Sequence, residues 1–170
     1  MTCRLLVVVL ACCVFAGTPA YGKDNSHTLY LIRHAEKQAD GSRDPMLSKT
    51  GSHRAEQLAD WFKNKNIEDI WSSDYHRTRD TVKPLVTMLG LELSIYDPRN
   101  LPDLASKLTR KQTTAVIVGH SNTTPDLARL LCDCPIEDME ESEYDRLVIV
   151  KVGKDQTRVS VLRQGQLFQP

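Results

Sequence analysis

With 170 residues, 41% of them hydrophobic and 26% charged, the chain has the length and composition of one globular domain able to bury a single core. Its 22 Lys plus Arg balance 22 Asp plus Glu. That balance excludes a global positive field drawing the protein to nucleic acid or an anionic membrane, so any anion site must be local.

Arg4 is followed by an apolar run over 5–16 and then by Gly17, Thr18, Pro19, Ala20, Tyr21 and Gly22. A positive start, an apolar stretch too short for a bilayer and small side chains at Ala20 and Gly22 form the pattern of an export signal, with cleavage predicted after Gly22. Residues 1–22 are therefore expected to be a signal peptide and 23–170 the domain, released to the periplasm or the medium. The alternative is lipid attachment at Cys12 or Cys13, before which the apolar run is unusually short. Cleavage removes Cys3, Cys12 and Cys13, leaving Cys132 and Cys134 in a loop after a helix. Without a second Cys or His pair these make no zinc site. In an oxidising compartment they either pair across Asp133 or stay free, as a loop detail with no catalytic role.

Apolar, β-prone runs at 29–32, 67–71, 91–95, 115–118 and 147–152 predict strands. Helical patterns fall between them. Residues 52–65 place Ala55, Leu58, Ala59 and Phe62 on one face, and 77–89 do the same with Val82, Leu85, Val86 and Leu89, with a kink expected at Pro84. Shorter helices are predicted at 101–108 and 124–131, the latter with Pro125 in its first turn. After the turn signal at 153–156, residues 157–162 predict a last strand hairpinned onto 147–152 at an edge. Strands alternating with helices imply a three-layer α/β/α sandwich around a mostly parallel sheet.

Three predicted strand ends carry unusual polar residues: Arg33 and His34, then 72–77 with Arg77, then Gly119, His120 and Ser121. In parallel sheets the carboxyl ends share one rim, where ligands bind. Two arginines and two histidines gathered there without matching carboxylates would repel one another, so an anion is expected to complete the site. Guanidinium forks match phosphoryl oxygens. Gly119 is expected to allow close backbone approach.

At these residues the sequence resembles a known family. LYLIRHAEK (29–37) is similar to the signature strand and loop of the histidine phosphatase superfamily, branch 1, the phosphoglycerate mutase-like group. LSKTGSHRAEQLADWF (47–62), WSSDYHRTRDT (71–81) and VIVGHSN (116–122) resemble its following blocks. The resemblance runs from Leu29 to about Val152. It implies a phosphoglycerate mutase-like fold and hydrolysis of a phosphomonoester through a phosphohistidine, with neither metal nor other cofactor. His34 is the implied nucleophile, and Arg33, Arg77 and His120 the phosphate ligands. The physics is compatible: cations around His34 disfavour its protonation and keep a lone pair available. Arg33, Arg77 and His120, taken as fixed cations, would meet charge on the equatorial oxygens, the task a metal ion performs elsewhere.

The resemblance also implies a proton-donating acid between the Arg77 helix and the second histidine. Asp103 is nearest in placement and Asp97 second. Ser121 stands where a phytase-like branch carries an aspartate. Without a carboxylate at the leaving group, only aryl phosphates, anhydrides or phosphohistidine would turn over well.

Lys37 either widens the anion pocket or, like Glu36, is solvated. Arg79 is expected on the surface, His27, His53 and His76 exposed, Trp61 and Trp71 in packing, and Glu143 and Asp145 capping or orienting a loop. The expected partner is a small or exposed phosphate ester, with no nucleic acid and no stable membrane insertion; oligomeric state is not legible. Competing functions are a short-type protein phosphohistidine phosphatase, which export argues against, and a phosphate or polyanion binding module with weak or no turnover.

Overall fold

In the computed structural model, which describes residues 26–167, strands and helices alternate as β1 (His27–Arg33), α1 (Lys49–Phe62), β2 (Asp69–Ser73), α2 (His76–Leu89), β3 (Leu93–Tyr96), α3 (Leu101–Lys111), β4 (Ala115–Gly119), α4 (Thr123–Cys132), β5 (Arg146–Val152), β6 (Thr157–Arg163) and the single turn α5 (Gln164–Leu167). The predicted signal segment and its cysteines lie outside the described residues. One sheet holds the strands in the order β3-β2-β4-β1-β5-β6. The first four of that order are mutually parallel, β5 runs antiparallel to β1, and β6 pairs antiparallel with β5 at the edge. The parallel centre and the terminal hairpin are as expected.

Side-chain alternation along the three central strands creates the layers. Leu29 and Leu31 of β1, Ala115 and Ile117 of β4, and Val148 and Val150 of β5 pack with Leu104 and Leu108 of α3 and Leu127 of α4. Their neighbours Ile32, Val116, Val118, Leu147 and Ile149 pack on the other side with Leu58 and Phe62 of α1 and Val82 and Leu85 of α2. Because both faces are covered, these strands read as unbroken apolar runs rather than as alternating ones.

The differences from expectation have local causes. α1 begins three residues early because the Ser48 hydroxyl accepts from the Gly51 amide at 3.1 Å, a cap that hydrophobic periodicity does not reveal. Gly51 lies so close to the loop after β1 that a Cβ there would stand 2.1 Å from the Glu36 carbonyl oxygen. β2 extends past Trp71 to Ser73; both added serines are buried with their hydroxyls bonded internally. α2 runs through Pro84 to Leu89, the end expected of it, whereas α3 runs past residue 108 to Lys111, stopping at Gln112 in the left-handed conformation, φ 53°. His27 is buried opposite Val152 rather than exposed. Cys132 and Cys134 form a disulfide at the end of α4. Among the described residues no helix is long and apolar enough to cross a membrane.

Candidate active site

The register of two parallel strands assembles the centre. Arg33 is paired with Gly119, and the His34 amide donates to the Gly119 carbonyl at 2.9 Å. The next residue of each strand is therefore a histidine, and the rings of His34 and His120 stand 5.5 Å apart, centroid to centroid. Gly119 permits this close packing: a Cβ there would lie 2.8 Å from the Thr123 hydroxyl, which instead accepts from the His120 amide at 2.9 Å. β2, on the far side of β4, leads into α2 and delivers Arg77. Arg33, His34, Lys37, Arg77, His120 and Glu141 are among the residues lining a cavity of about 370 Å³ at this rim. The N-terminus of α4 borders it and adds partial positive charge.

Arg33 is only 1% exposed. Its Nη1 donates to the carbonyls of Glu140, Glu141 and Glu143 at 2.9, 2.9 and 3.0 Å. Nη2 donates to Glu141 Oε2 at 3.0 Å, and the Tyr144 ring lies 4.2 Å from the guanidinium carbon. Nε–H has no partner among the described residues. The edge formed by Nε and Nη2 thus keeps donor capacity, while the other end of the fork is consumed in holding the 140–143 loop. That loop is held a second time by Arg146, which reaches the carbonyls of Glu137 and Asp138 at 2.7 and 3.0 Å and the Glu143 carboxylate. Glu143 also pairs with Arg163, and Asp145 with Arg163, so both acids orient this loop as expected.

Hydrogen-bond partners assign the tautomers of the two histidines. His34 Nδ1 lies 2.8 Å from the Ala35 carbonyl, which only accepts, so Nδ1 carries the proton and Nε2 the lone pair. Burial, and then the charge of Arg33, His120 and Arg77, brings the His34 pKa down to about 3 against the raising effect of the Ala35 bond. His120 Nδ1 lies 3.5 Å from the Arg77 Nη2 donor and must face it as an acceptor; Nε2 then donates to Ser73 Oγ at 2.9 Å, and the chain continues to Thr78 and back to the Ser73 carbonyl. Burial first, then Arg77 and Arg33, lowers the His120 pKa to about 4. The expectation that His120 is a fixed cation is corrected: with its pKa lowered to about 4 it is neutral near pH 7, and the permanent positive charge belongs to Arg33 and Arg77.

Arg77 is oriented from both sides. Its guanidinium lies 4.4 Å over the Tyr75 ring, and Nη1 is 3.3 Å from Asp44 Oδ1. The same carboxylate accepts from the His76 amide at 2.9 Å and caps α2, whose preceding residue Tyr75 offers no capping side chain. Asp44→Ala is expected to cost about 1 kcal/mol of stability. Asp44→Asn, which keeps a capping oxygen, should recover most of it; equal losses in chemical denaturation would assign the effect to the Arg77 pair.

Arg33, His34, Arg77 and His120 are brought together; Asp103 is not. It sits half-exposed on α3, paired with Lys107 at 2.7 Å one turn on, and does not line the cavity. Asp97 is turned to Arg99 at 3.0 Å. Both acid assignments are thereby withdrawn on geometric grounds. The expected absence of carboxylates is corrected as well, since Glu141 meets Arg33 and Asp44 meets Arg77. Lys37 does line the cavity, whereas Glu36 is engaged by Arg54. Arg79 pairs with Asp74 away from the cavity lining.

A sheet-centred α/β fold with two histidines and two arginines gathered at the rim of the parallel strands is a phosphoglycerate mutase-like fold. Residues 29–99 match the sequence profile of the histidine phosphatase superfamily (branch 1), the superfamily that the sequence resembles. Curated relatives include a protein named "Probable phosphoglycerate mutase GpmB" of Photorhabdus laumondii, 35% identical over 77 residues, which are 42% of this chain and 35% of that protein. The counterpart in Yersinia pestis is 34% identical over the same span. The chain thus matches about a third of the length of these relatives. Among solved structures, the protein histidine phosphatase SixA complexed with tungstate superposes with a TM-score of 0.66 at 17% identity, covering 82% of this chain and 99% of that one. A mycobacterial glucosyl-3-phosphoglycerate phosphatase gives 0.67 at 16% identity, with 81% and 99% covered. At these identities the likeness speaks to the fold.

Proposed function

We propose that the protein is a phosphatase that hydrolyses a phosphomonoester through a covalent phosphate on His34, without a metal ion, after export from the cytoplasm. The observation that carries this reading is a buried, neutral imidazole, 3% exposed, with a free Nε2 beside two guanidinium groups. Phosphoryl oxygens are met by the Nε and Nη2 edge of Arg33 and by Arg77, whose fixed positions cost little reorganisation when charge develops. His34 Nε2 attacks phosphorus, the ester oxygen leaves, and water then displaces the phosphoryl group from Nε2. His120 approaches the bound dianion and gains a reason to take up a proton there. The arginines supply the charge neutralisation that a metal would otherwise provide. Export is supported by the N-terminal pattern, and the Cys132–Cys134 disulfide suits an oxidising compartment.

A second reading, a protein phosphohistidine phosphatase, draws on the chain's span of 99% of SixA, which leaves little room for an inserted lid. A phosphohistidine peptide assayed beside phosphomonoesters separates the two. The test of the main reading is para-nitrophenyl phosphate in excess chelator. The quenched enzyme should carry a label on residue 34 that survives alkali and is lost in acid; tight phosphate binding without turnover would instead leave a binding module.

The histidines make a second prediction. In the unfolded chain both titrate near 6.5, but in the fold they do so at about 3 and about 4. Between those values the unfolded state binds more protons, so their contribution to stability is full above pH 6.5 and is lost as pH falls through this window. NMR titration should find both rings still neutral at pH 5; midpoints near 6.5 would contradict the site as described.

A further inference from the structure

We propose that Glu141 is the proton donor to the leaving group, and that the substrates are accordingly alkyl phosphomonoesters, whose departing alkoxide needs a proton. This rests on the phosphohistidine reading above. Glu141 is the one carboxylate lining the cavity among the described residues. Its main chain is pinned, because its carbonyl and those of Glu140 and Glu143 are held by the Arg33 guanidinium. Its side chain is 82% exposed, so water can reach the carboxylate. The carboxylate touches the same guanidinium that would clasp the phosphoryl group, at 3.0 Å from Nη2, and bonds through its other oxygen to the Ser121 hydroxyl. An acid anchored on the phosphate's own ligand is within reach of the ester oxygen. The other acids near the rim are committed: Asp44 to the α2 cap, Asp97 to Arg99, and Asp103 to Lys107.

The Ser121 bond, and then Arg33 and Lys37, hold the Glu141 carboxyl below its ordinary range despite an opposing desolvation effect. A phosphoryl dianion on the Nε and Nη2 edge of Arg33 displaces the carboxylate from Nη2 and sets negative charge beside it. Both changes favour uptake of a proton from solvent. As the His34 Nε2–P bond forms and the P–O bond breaks, the electron pair stays on the ester oxygen, which takes the Glu141 proton and leaves as the alcohol. The carboxylate then accepts a proton from the incoming water as P–Nε2 breaks, and the pair returns to nitrogen. Ester and water become alcohol and phosphate, with Glu141 and His34 restored.

The experiment is Glu141→Gln on the full chain, assayed with an alkyl phosphate and with para-nitrophenyl phosphate, together with the alkali-stable label on His34. We expect kcat/KM on the alkyl ester to fall about 100-fold or more, the aryl ester to fall by less than about 10-fold, and labelling by the aryl ester to persist. The ratio of the two rates within one preparation does not depend on the fraction folded. Equal losses on both esters would overturn the proposal, making Glu141 a positioning residue for Arg33. A gain on both would also overturn it, showing a carboxylate that merely competes with phosphate. Absence of the label in the wild-type protein would bring down the phosphohistidine reading itself, and this proposal with it.

Discussion

On the reading proposed above, replacing His34 by Ala is expected to lower phosphomonoester turnover by a factor on the order of 10⁴ or more, because that reading places the covalent phosphate on His34. The fold should survive. The His34 amide still donates to the Gly119 carbonyl, and the strand before it is untouched. What is lost in packing is the ring's contact with His120 and Tyr144 and the bond to the Ala35 carbonyl. These are worth about 1–2 kcal/mol, offset near pH 5 by removing an imidazole that the native state keeps unprotonated. Turnover, residue-34 labelling and thermal unfolding measured on one preparation decide the matter. Turnover equal to wild type would take His34 out of the mechanism, whatever the labelling shows.

The second large effect is at Arg33, where support and chemistry share one side chain. Arg33→Ala leaves the carbonyls of 140, 141 and 143 without their donor and opens space behind Tyr144, a loss of about 3 kcal/mol. Turnover should fall by 10²-fold or more, on the order found for removing a preorganised donor. Arg33→Lys separates the two roles. Three N–H groups on one nitrogen can serve the carbonyls that Nη1 now serves, but nothing then remains in the place of the Nε and Nη2 edge. Part of the stability should return in denaturant unfolding while turnover stays near the Ala level. If Arg33→Lys recovers both, the side-on fork has no part in binding phosphate.

Much of this was legible because the central strands are covered on both faces. Apolar runs at 29–32, 115–118 and 147–152, the last interrupted only by the exposed Lys151, read as strands, and the polar residues ending two of them read as a shared rim. Arg33, His34, Arg77 and His120 are thus gathered by the sequence pattern alone. The profile match over 29–99 contains only the first three of them. The groups that finish the site could not be read the same way, because tertiary contact alone links them to it. Ser73 meets His120 across 47 positions, Asp44 meets Arg77 across 33, and Glu141 meets Arg33 across 108. The segment between Arg77 and His120, where the resemblance implies an acid, turns its carboxylates to Lys107 and Arg99 instead. The charge of His120 does not follow from residue type either, since burial and a neighbouring guanidinium decide its proton, and neither is written in the motif.

The Arg33 fork is filled from 107 to 110 residues downstream. A polypeptide is synthesised from its amino end, so the reactive imidazole exists long before its support does. Until the stretch around position 140 has emerged and docked, the guanidinium has no reason to leave water and nothing to aim it. On the proposed reading, a nascent or prematurely terminated chain that lacks the 140–143 stretch would carry the signature motif without the carbonyls that hold and aim the Arg33 guanidinium.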